Sequence, residues 1–360
     1  MLKDVRVLDL SRILSGPFCS RMLADMGAEV IKVESAGGDA MRYYPPFKGK
    51  YSSYFTQWNT GKKSVCINLK KKEGIDIVKR LAARCDVVLQ NFRTGLLERI
   101  GLGYDVLEKI NPRIILCSIS GFGQSGSETK RLAYTDIVQA YSGLDYIAGK
   151  MRGEDADPPG FPVSFADTYA SLNACISILA ALYHRQLTGR GQSIDISMLD
   201  CLLASNDSTL QQHIFSDGLW DKPIGIWRPP LRMKDGHMGV ALLLKFEKTV
   251  RAIGRPDLLE DERFNSMAAQ VVNIDAFLEI MGKWAKDVTV AEAAAIFEEY
   301  DIPWAKVNSN HEILSSQVVK DRQMLVDVEL PDVGKVPVIN TPFKFSDFAT
   351  GPTGPPPNLG

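Results

Sequence analysis

Short β-branched runs alternate with helical periodicity through the first 120 residues, and no other feature restricts the fold of this chain so tightly. Val5–Leu10 reads as a strand, and Gly16-Pro17 opens a helical stretch through Met26. Val30–Val33, Ser64–Ile67, Val87–Gln90 and Ile114–Ser118 are further strands, with helical patterns at Glu73–Arg84 and Tyr104–Ile110 between them. Strands separated by crossover helices pair in parallel, so the pattern predicts an α/β fold with a mostly parallel, doubly wound sheet. A long helix over Ala166–Gln186 closes at Thr188-Gly-Arg-Gly-Gln192, whose glycines suit a C-cap and turn. A strand at Ser193–Ile196 and another long helix from Met198 towards Phe215 follow.

Residues 217–236 change texture to Gly, Pro, Trp and Asp, the composition of a linker or loop. A smaller α+β unit is expected beyond it: a strand at Met238–Leu243, helices at Phe246–Ile253, Ile274–Asp287 and Val290–Tyr300, and a strand at Ile302–Val307. Val326–Leu330 and Lys335–Val338, joined across Pro331-Asp-Val-Gly334, read as a hairpin. The tail from Gly351 to Gly360 is too rich in Pro and Gly to form a packed element and is expected to run extended over a surface.

Composition narrows the function classes. Of 360 residues, 45% are apolar and 24% charged, with a formal charge of −1, which excludes wholesale disorder and argues against nucleic acid or an anionic membrane as the main partner. The apolar run Leu172–Leu182 is interrupted by Asn173 and Ser177 and falls short of the ~20 residues of a spanning helix. The start runs straight into a strand without a secretory apolar core, so a cytoplasmic location is expected. Six cysteines and four histidines are dispersed, with no CxxC pair, so neither a disulfide framework nor a structural zinc is expected. The cysteines read as small buried hydrophobes.

Three patterns are candidates for chemistry. Gly121-Phe-Gly-Gln-Ser-Gly126 spells the dinucleotide fingerprint, but Ser127-Glu-Thr-Lys-Arg131 follows where a helix should open, so it reads as a loop. Lys62, Lys63, Lys70, Lys71, Lys72, Arg93 and Arg99 cluster near the ends of predicted strands. There they could hold a phosphorylated ligand or simply face solvent. Asp167 stands at the start of the long apolar helix. An acidic residue there is usually satisfied by free backbone amides, but the same setting suits a covalent nucleophile beside oxyanion donors.

An ordered set of segments resembles the class III CoA-transferase family, which includes formyl-CoA transferase, L-carnitine CoA-transferase and the α-methylacyl-CoA racemases. The segments are Val7-Leu-Asp-Leu-Ser11, Gly16-Pro17, Gly27-Ala-Glu-Val-Ile-Lys-Val-Glu34, Asn91-Phe-Arg-Thr-Gly95 and Asn111-Pro-Arg-Ile-Ile115. Ser120-Gly-Phe-Gly-Gln124, Ala166-Asp167, Thr188-Gly-Arg-Gly-Gln192, Ile253-Gly-Arg-Pro256 and Thr341-Pro-Phe-Lys-Phe-Ser346 continue it. The resemblance implies a Rossmann-like large domain from residues 1–216 and 318–360, a linker at 217–236, a small α+β domain at 237–317, and two protomers interlocked as a homodimer. It implies Asp167 as the nucleophile. Contacts to coenzyme A are implied for Arg12, Ile13, Lys70, Asn91, Phe92, Arg99, Tyr134 and Met198, with acyl-CoA and a small carboxylic acid as substrates and no metal. Relatives usually continue past the segment matching Pro357-Asn-Leu-Gly360 into a final helix.

Departures from the family pattern sharpen the expectation. A racemase would place a histidine before Asp136, where this chain has Thr135, and the first histidine is His184. A CoA-transferase is therefore expected, with a racemase or a CoA-binding homologue without turnover as alternatives. Leu14 replaces the glutamine of formyl-CoA transferases, no glycine run occurs between residues 217 and 240, and Ser35 replaces an arginine. The first two changes argue against formate/oxalate exchange, and Ser35 puts one adenine-side contact in doubt. With Trp220 and Trp227 in the loop, they suggest a bulkier, partly apolar acid.

Overall fold

Consecutive residues of each central strand bury themselves in different cores, which forces cover on both faces of the sheet. Val7, Val87, Leu89, Ile115 and Cys117 belong to one apolar cluster, whereas Leu8, Val88 and Leu116 belong to another. Buried on both faces, such strands read as continuous apolar runs and pair in parallel. The computed structural model describes every residue of the chain except 154, 207–208 and 220–228.

Two compact units emerge, one of residues 1–145, 160–206 and 317–360, the other of residues 146–159 and 207–316. In the large unit, β1 (Arg6–Asp9), β2 (Glu29–Glu34), β3 (Lys63–Cys66), β4 (Val87–Gln90), β5 (Ile115–Ser120) and β6 (Gln192–Ser197) form the main sheet. Their order is β3-β2-β1-β4-β5-β6, and every neighbouring pair is parallel. Strand order therefore reverses between β1 and β4, the point where an open α/β sheet leaves a crevice at its carboxyl edge. Helices α1 (Ser15–Asp25) and α6 (Phe165–Thr188) cover one face, and α3 (Lys72–Ala82) and α4 (Tyr104–Ile110) the other. Helices α2 (Ser53–Asn59), α5 (Thr135–Tyr141) and α7 (Met198–Ala204) complete the frame used below.

Helix α6 is long and apolar enough by length and composition to span a membrane, but packing accounts for that character. Ala166, Ala170, Ala174 and Ile178 recur every fourth residue and are fully buried in the core that α1 shares. Gly189 ends the helix at φ +75°, the left-handed C-cap expected from sequence.

The smaller unit carries an antiparallel sheet of Trp304–Lys306, His237–Val240 and Leu231–Arg232. Its core is built on Phe246, Phe264 and Phe277, whose ring centroids lie 4.8–5.9 Å apart. Leu231–Arg232 lies in the stretch read as linker, where the strand His237–Met238 supplies its hydrogen-bond partner. Residues 146–159 cluster with this unit, although the sequence placed them in the large one. The helix expected from Met198 to Phe215 is instead Met198–Ala204 and Thr209–Phe215, and the loop tryptophans Trp220 and Trp227 lie outside the described residues. The expected hairpin is present as Leu325–Leu330 paired with Gly334–Ile339, within the large unit.

Candidate active site at the strand-order reversal

The turn from β1 into α1 is held by its backbone. Asn91, one residue past β4, accepts the Arg12 N–H at 2.9 Å and donates to the Arg12 carbonyl at 2.7 Å and to Ser15 Oγ at 3.1 Å. Ile13 adopts φ +70°, and its N–H donates to Asp39 at 3.1 Å. Among the described residues, no side chain caps α1, so its first amides are open to an acceptor.

Asp167 lies half-buried in the first turn of α6, where the Ser15 backbone N–H and hydroxyl favour its charged form. Ser171 Oγ lies 2.7 Å from the Asp167 carbonyl and 2.7 Å from the Ser15 carbonyl, which ties the two helices at this level. Burial pushes the Asp167 carboxyl up to about 6 from its ordinary 3.8; the Ser15 hydroxyl and backbone N–H oppose that shift, and Asp136 on α5 adds to it. The carboxylate is thus desolvated, oriented by a helix N-terminus, and still mostly ionised at neutral pH. The start of α6 borrows its own cap from α5, since Gln139 Oε1 accepts the Phe165 N–H at 2.8 Å.

Tyr54 on α2 completes the surroundings. Burial, then the Asp167 charge, raises its phenol to about 12, so it stays a neutral hydrogen-bond donor. Its ring meets Tyr44 and Trp58 edge-on at 5.7 and 6.4 Å. Ser15, Tyr54, Gln139 and Asp39 were not singled out from sequence. The signal that could have found Ser15 was its place at N1 of a helix following the first strand.

The remaining candidates separate into groups. Arg12, Ile13, Asn91 and Phe92 gather at the reversal of strand order, with the Arg12 guanidinium 5.2 Å from the Phe92 ring centre. Lys70 follows β3, and Arg99 ends the short helix Leu96–Arg99; both are exposed, and neither forms an ion pair among the described residues. Tyr134 stands exposed at the N-cap of α5. Met198 differs: it is 5% exposed and part of the core, so the structure does not present it at the surface.

Two members of the cationic set prove to be engaged elsewhere. Lys62 is buried and lies 3.2 Å from Asp9, 2.8 Å from Ser20 Oγ and 3.0 Å from Asn59 Oδ1; burial pulls its ammonium down to about 8. Lys63 pairs with Glu29 at 2.5 Å. Neither is free for a ligand phosphate. The glycine motif at 121–126 is a loop without a helix, as expected, and Cβ on Gly121 would meet Ala133 Cβ at 2.1 Å. All six cysteines are free and five are buried.

Residues 2–360 match the CoA-transferase family III. The chain belongs to that family. It is 36% identical over 369 residues to the mouse succinyl-CoA:glutarate CoA-transferase, covering all of this chain and 84% of that one. It is 32% identical over 375 residues to the succinyl-CoA–D-citramalate CoA-transferase of Chloroflexus aurantiacus, covering 100% and 91%. Among solved structures, a CAIB/BAIF family protein from Brucella suis superposes with a TM-score of 0.85 at 32% identity, covering 99% of this chain and 96% of that one. As a family III CoA-transferase, the enzyme uses a CoA thioester and a carboxylate as co-substrates, and the names of these relatives, CoA-transferases rather than racemases, favour transfer.

Proposed function

We propose that this CoA-transferase moves CoA from succinyl-CoA to a short dicarboxylic acid through covalent intermediates on Asp167. The observation that carries the mechanism is the Asp167 carboxylate itself, at the start of α6, desolvated yet with Ser15 favouring its charged form. Succinyl-CoA appears in the names of the mouse and Chloroflexus relatives, with glutarate and D-citramalate as their partners. Those names favour a short dicarboxylate over the bulkier apolar acid suggested by the sequence departures.

The steps balance without a base. Asp167 attacks the thioester carbonyl, the C–S bond breaks, and CoA thiolate leaves a mixed anhydride. The thiolate attacks Cγ of Asp167, releasing the first acid and leaving an aspartyl-CoA thioester. The acceptor carboxylate attacks that carbonyl, thiolate leaves again, and its return to the acceptor's acyl carbon frees Asp167. Each nucleophile is already an anion, so no proton is taken up or released, and a catalytic histidine is unnecessary. The open amides of α1 lie beside the carbon that becomes tetrahedral, where they can stabilise the oxyanion.

For CoA, the reading places Arg12, Ile13, Asn91 and Phe92 along the crevice and Lys70 and Arg99 on the phosphates, with Tyr134 at its border. The exposed apolar row Ile176, Tyr183 and Leu187 on α6, each at least 65% exposed, supports a second copy as partner, interlocked as the resemblance implies. Light scattering should then give a dimer mass. Steady-state exchange tests the substrate: succinyl-CoA with glutarate, citramalate or malate should turn over well. An aryl-acid acceptor outpacing all three would replace the reading.

A further inference from the structure

Ile13 holds φ +70°, a region that β-branched residues avoid, and a buried ion pair keeps it there. Asp39 accepts the Ile13 N–H with both carboxylate oxygens, at 3.1 and 3.4 Å. Lys32 Nζ lies 3.0 Å from Asp39, with both side chains shielded from solvent, and donates to the Ser11 carbonyl at 2.8 Å. Asp39 is itself fixed, since its own N–H donates to Glu34 at 2.9 Å. A buried pair of this kind adds little net stability compared with apolar residues of similar size. Apolar residues, however, could not accept the Ile13 amide.

We propose that Asp39, locked by Lys32, is a positioning residue: by accepting the Ile13 amide it fixes the turn from which Ser15 reaches the Asp167 carboxylate. Only Leu14 separates Ile13 from Ser15, so releasing Ile13 to an ordinary negative φ swings the first amide of α1 away from Asp167. Asp39 does not touch the reacting atoms. The inference rests on Asp167 as the reacting group. The groups facing that carboxylate are Ser15 from α1, Asp136 from α5 and Tyr54 from α2, and none of them is altered in the test.

Lys32→Met combined with Asp39→Leu removes the acceptor without leaving a buried charge unpaired. Carboxyl 13C NMR on aspartate-labelled protein, assigned with Asp167→Asn, reads the Asp167 midpoint directly. In the double variant that midpoint should rise by about half a pH unit or more, because the Ser15 amide and hydroxyl that favour the charged form move away. The kcat for exchange should fall about tenfold or more, with KM changing less. Lys32→Met combined with Asp39→Asn keeps an oxygen for the Ile13 amide without an unpaired charge and should hold the midpoint at the parental value. A folded Lys32→Met/Asp39→Leu variant with the parental midpoint overturns the proposal, and so does a Lys32→Met/Asp39→Asn midpoint displaced upward by half a unit. If the unaltered protein exchanges no CoA while the midpoint moves as expected, the proposed function falls and the positioning role stands.

Discussion

Two turns at the carboxyl edge of the same sheet invert what their sequences suggest. The loop at Gly121–Gly126 spells a nucleotide-binding motif, but no helix begins there. The turn Ser11–Leu14 contains no glycine, yet it leads into the helix whose first residue, Ser15, favours the charged form of Asp167. Glycines in a phosphate-binding turn matter because they permit left-handed backbone and close approach. In the second turn, side chains do that work: Asp39 and Lys32 hold Ile13, and Asn91 holds Arg12. Glycine content therefore locates neither the ligand nor the chemistry. What matters is which turn feeds an open helix start at the strand-order reversal.

The largest effect should come from Asp167. Asp167→Ala should reduce CoA exchange by about 10³-fold or more, measured by chromatography of the acyl-CoA products. The isosteric Asp167→Asn should also be more stable than the parent at neutral pH. The folded-state pKa is raised from 3.8 to about 6, so the group's contribution is fully present below pH 3.8 and is lost as pH rises through 6. Removing the ionisation should raise stability by about 1–3 kcal/mol at pH 7.5, a gain that vanishes near pH 4. Urea unfolding at the two pH values checks this.

Ser15→Ala comes next. It removes the hydroxyl but keeps the backbone amide, and should cost roughly tenfold in kcat/KM. The acid limb of the kcat/KM profile, placed near pH 6 by Asp167, should move upward in this variant, since a hydroxyl that favours the charged carboxyl is gone. A smaller effect is expected for Asn91→Ala, which frees the Arg12 backbone: about 1–2 kcal/mol in stability and a severalfold rise in KM for the acyl-CoA. The smallest effect on exchange belongs to the glycine loop. Gly126 has φ +101°, strained for any L side chain although no atom lies within 4 Å of an added Cβ, so Gly126→Ala should lose about 1–3 kcal/mol of stability but leave kcat unchanged. Comparable losses of exchange in Gly126→Ala and Ser15→Ala would erase the distinction between the two turns.

Much of the fold was legible because the strands are short, apolar and separated by helical periodicity. The order in which they pair was not, since parallel partners lie far apart in sequence. Asp167 was legible as a helix-start carboxylate, and the family resemblance raised its standing. Its helix-end partner Ser15 lies 152 residues earlier, and no local pattern announces that contact. Lys62 was misjudged for the same reason: composition places a lysine near a strand end, but only packing reveals the buried Asp9 beneath it. Met198 likewise follows a strand as a crevice residue should, yet its apolar side chain turns into the core.

Trapping the covalent state reaches the central claim most directly. The protein is incubated with succinyl-CoA, quenched with hydroxylamine, and digested for mass spectrometry. An aspartyl hydroxamate at position 167, dependent on acyl-CoA and absent from Asp167→Ala, is the expected result. Exchange at the parental rate in Asp167→Ala, with no adduct at position 167 in the parent, would contradict it.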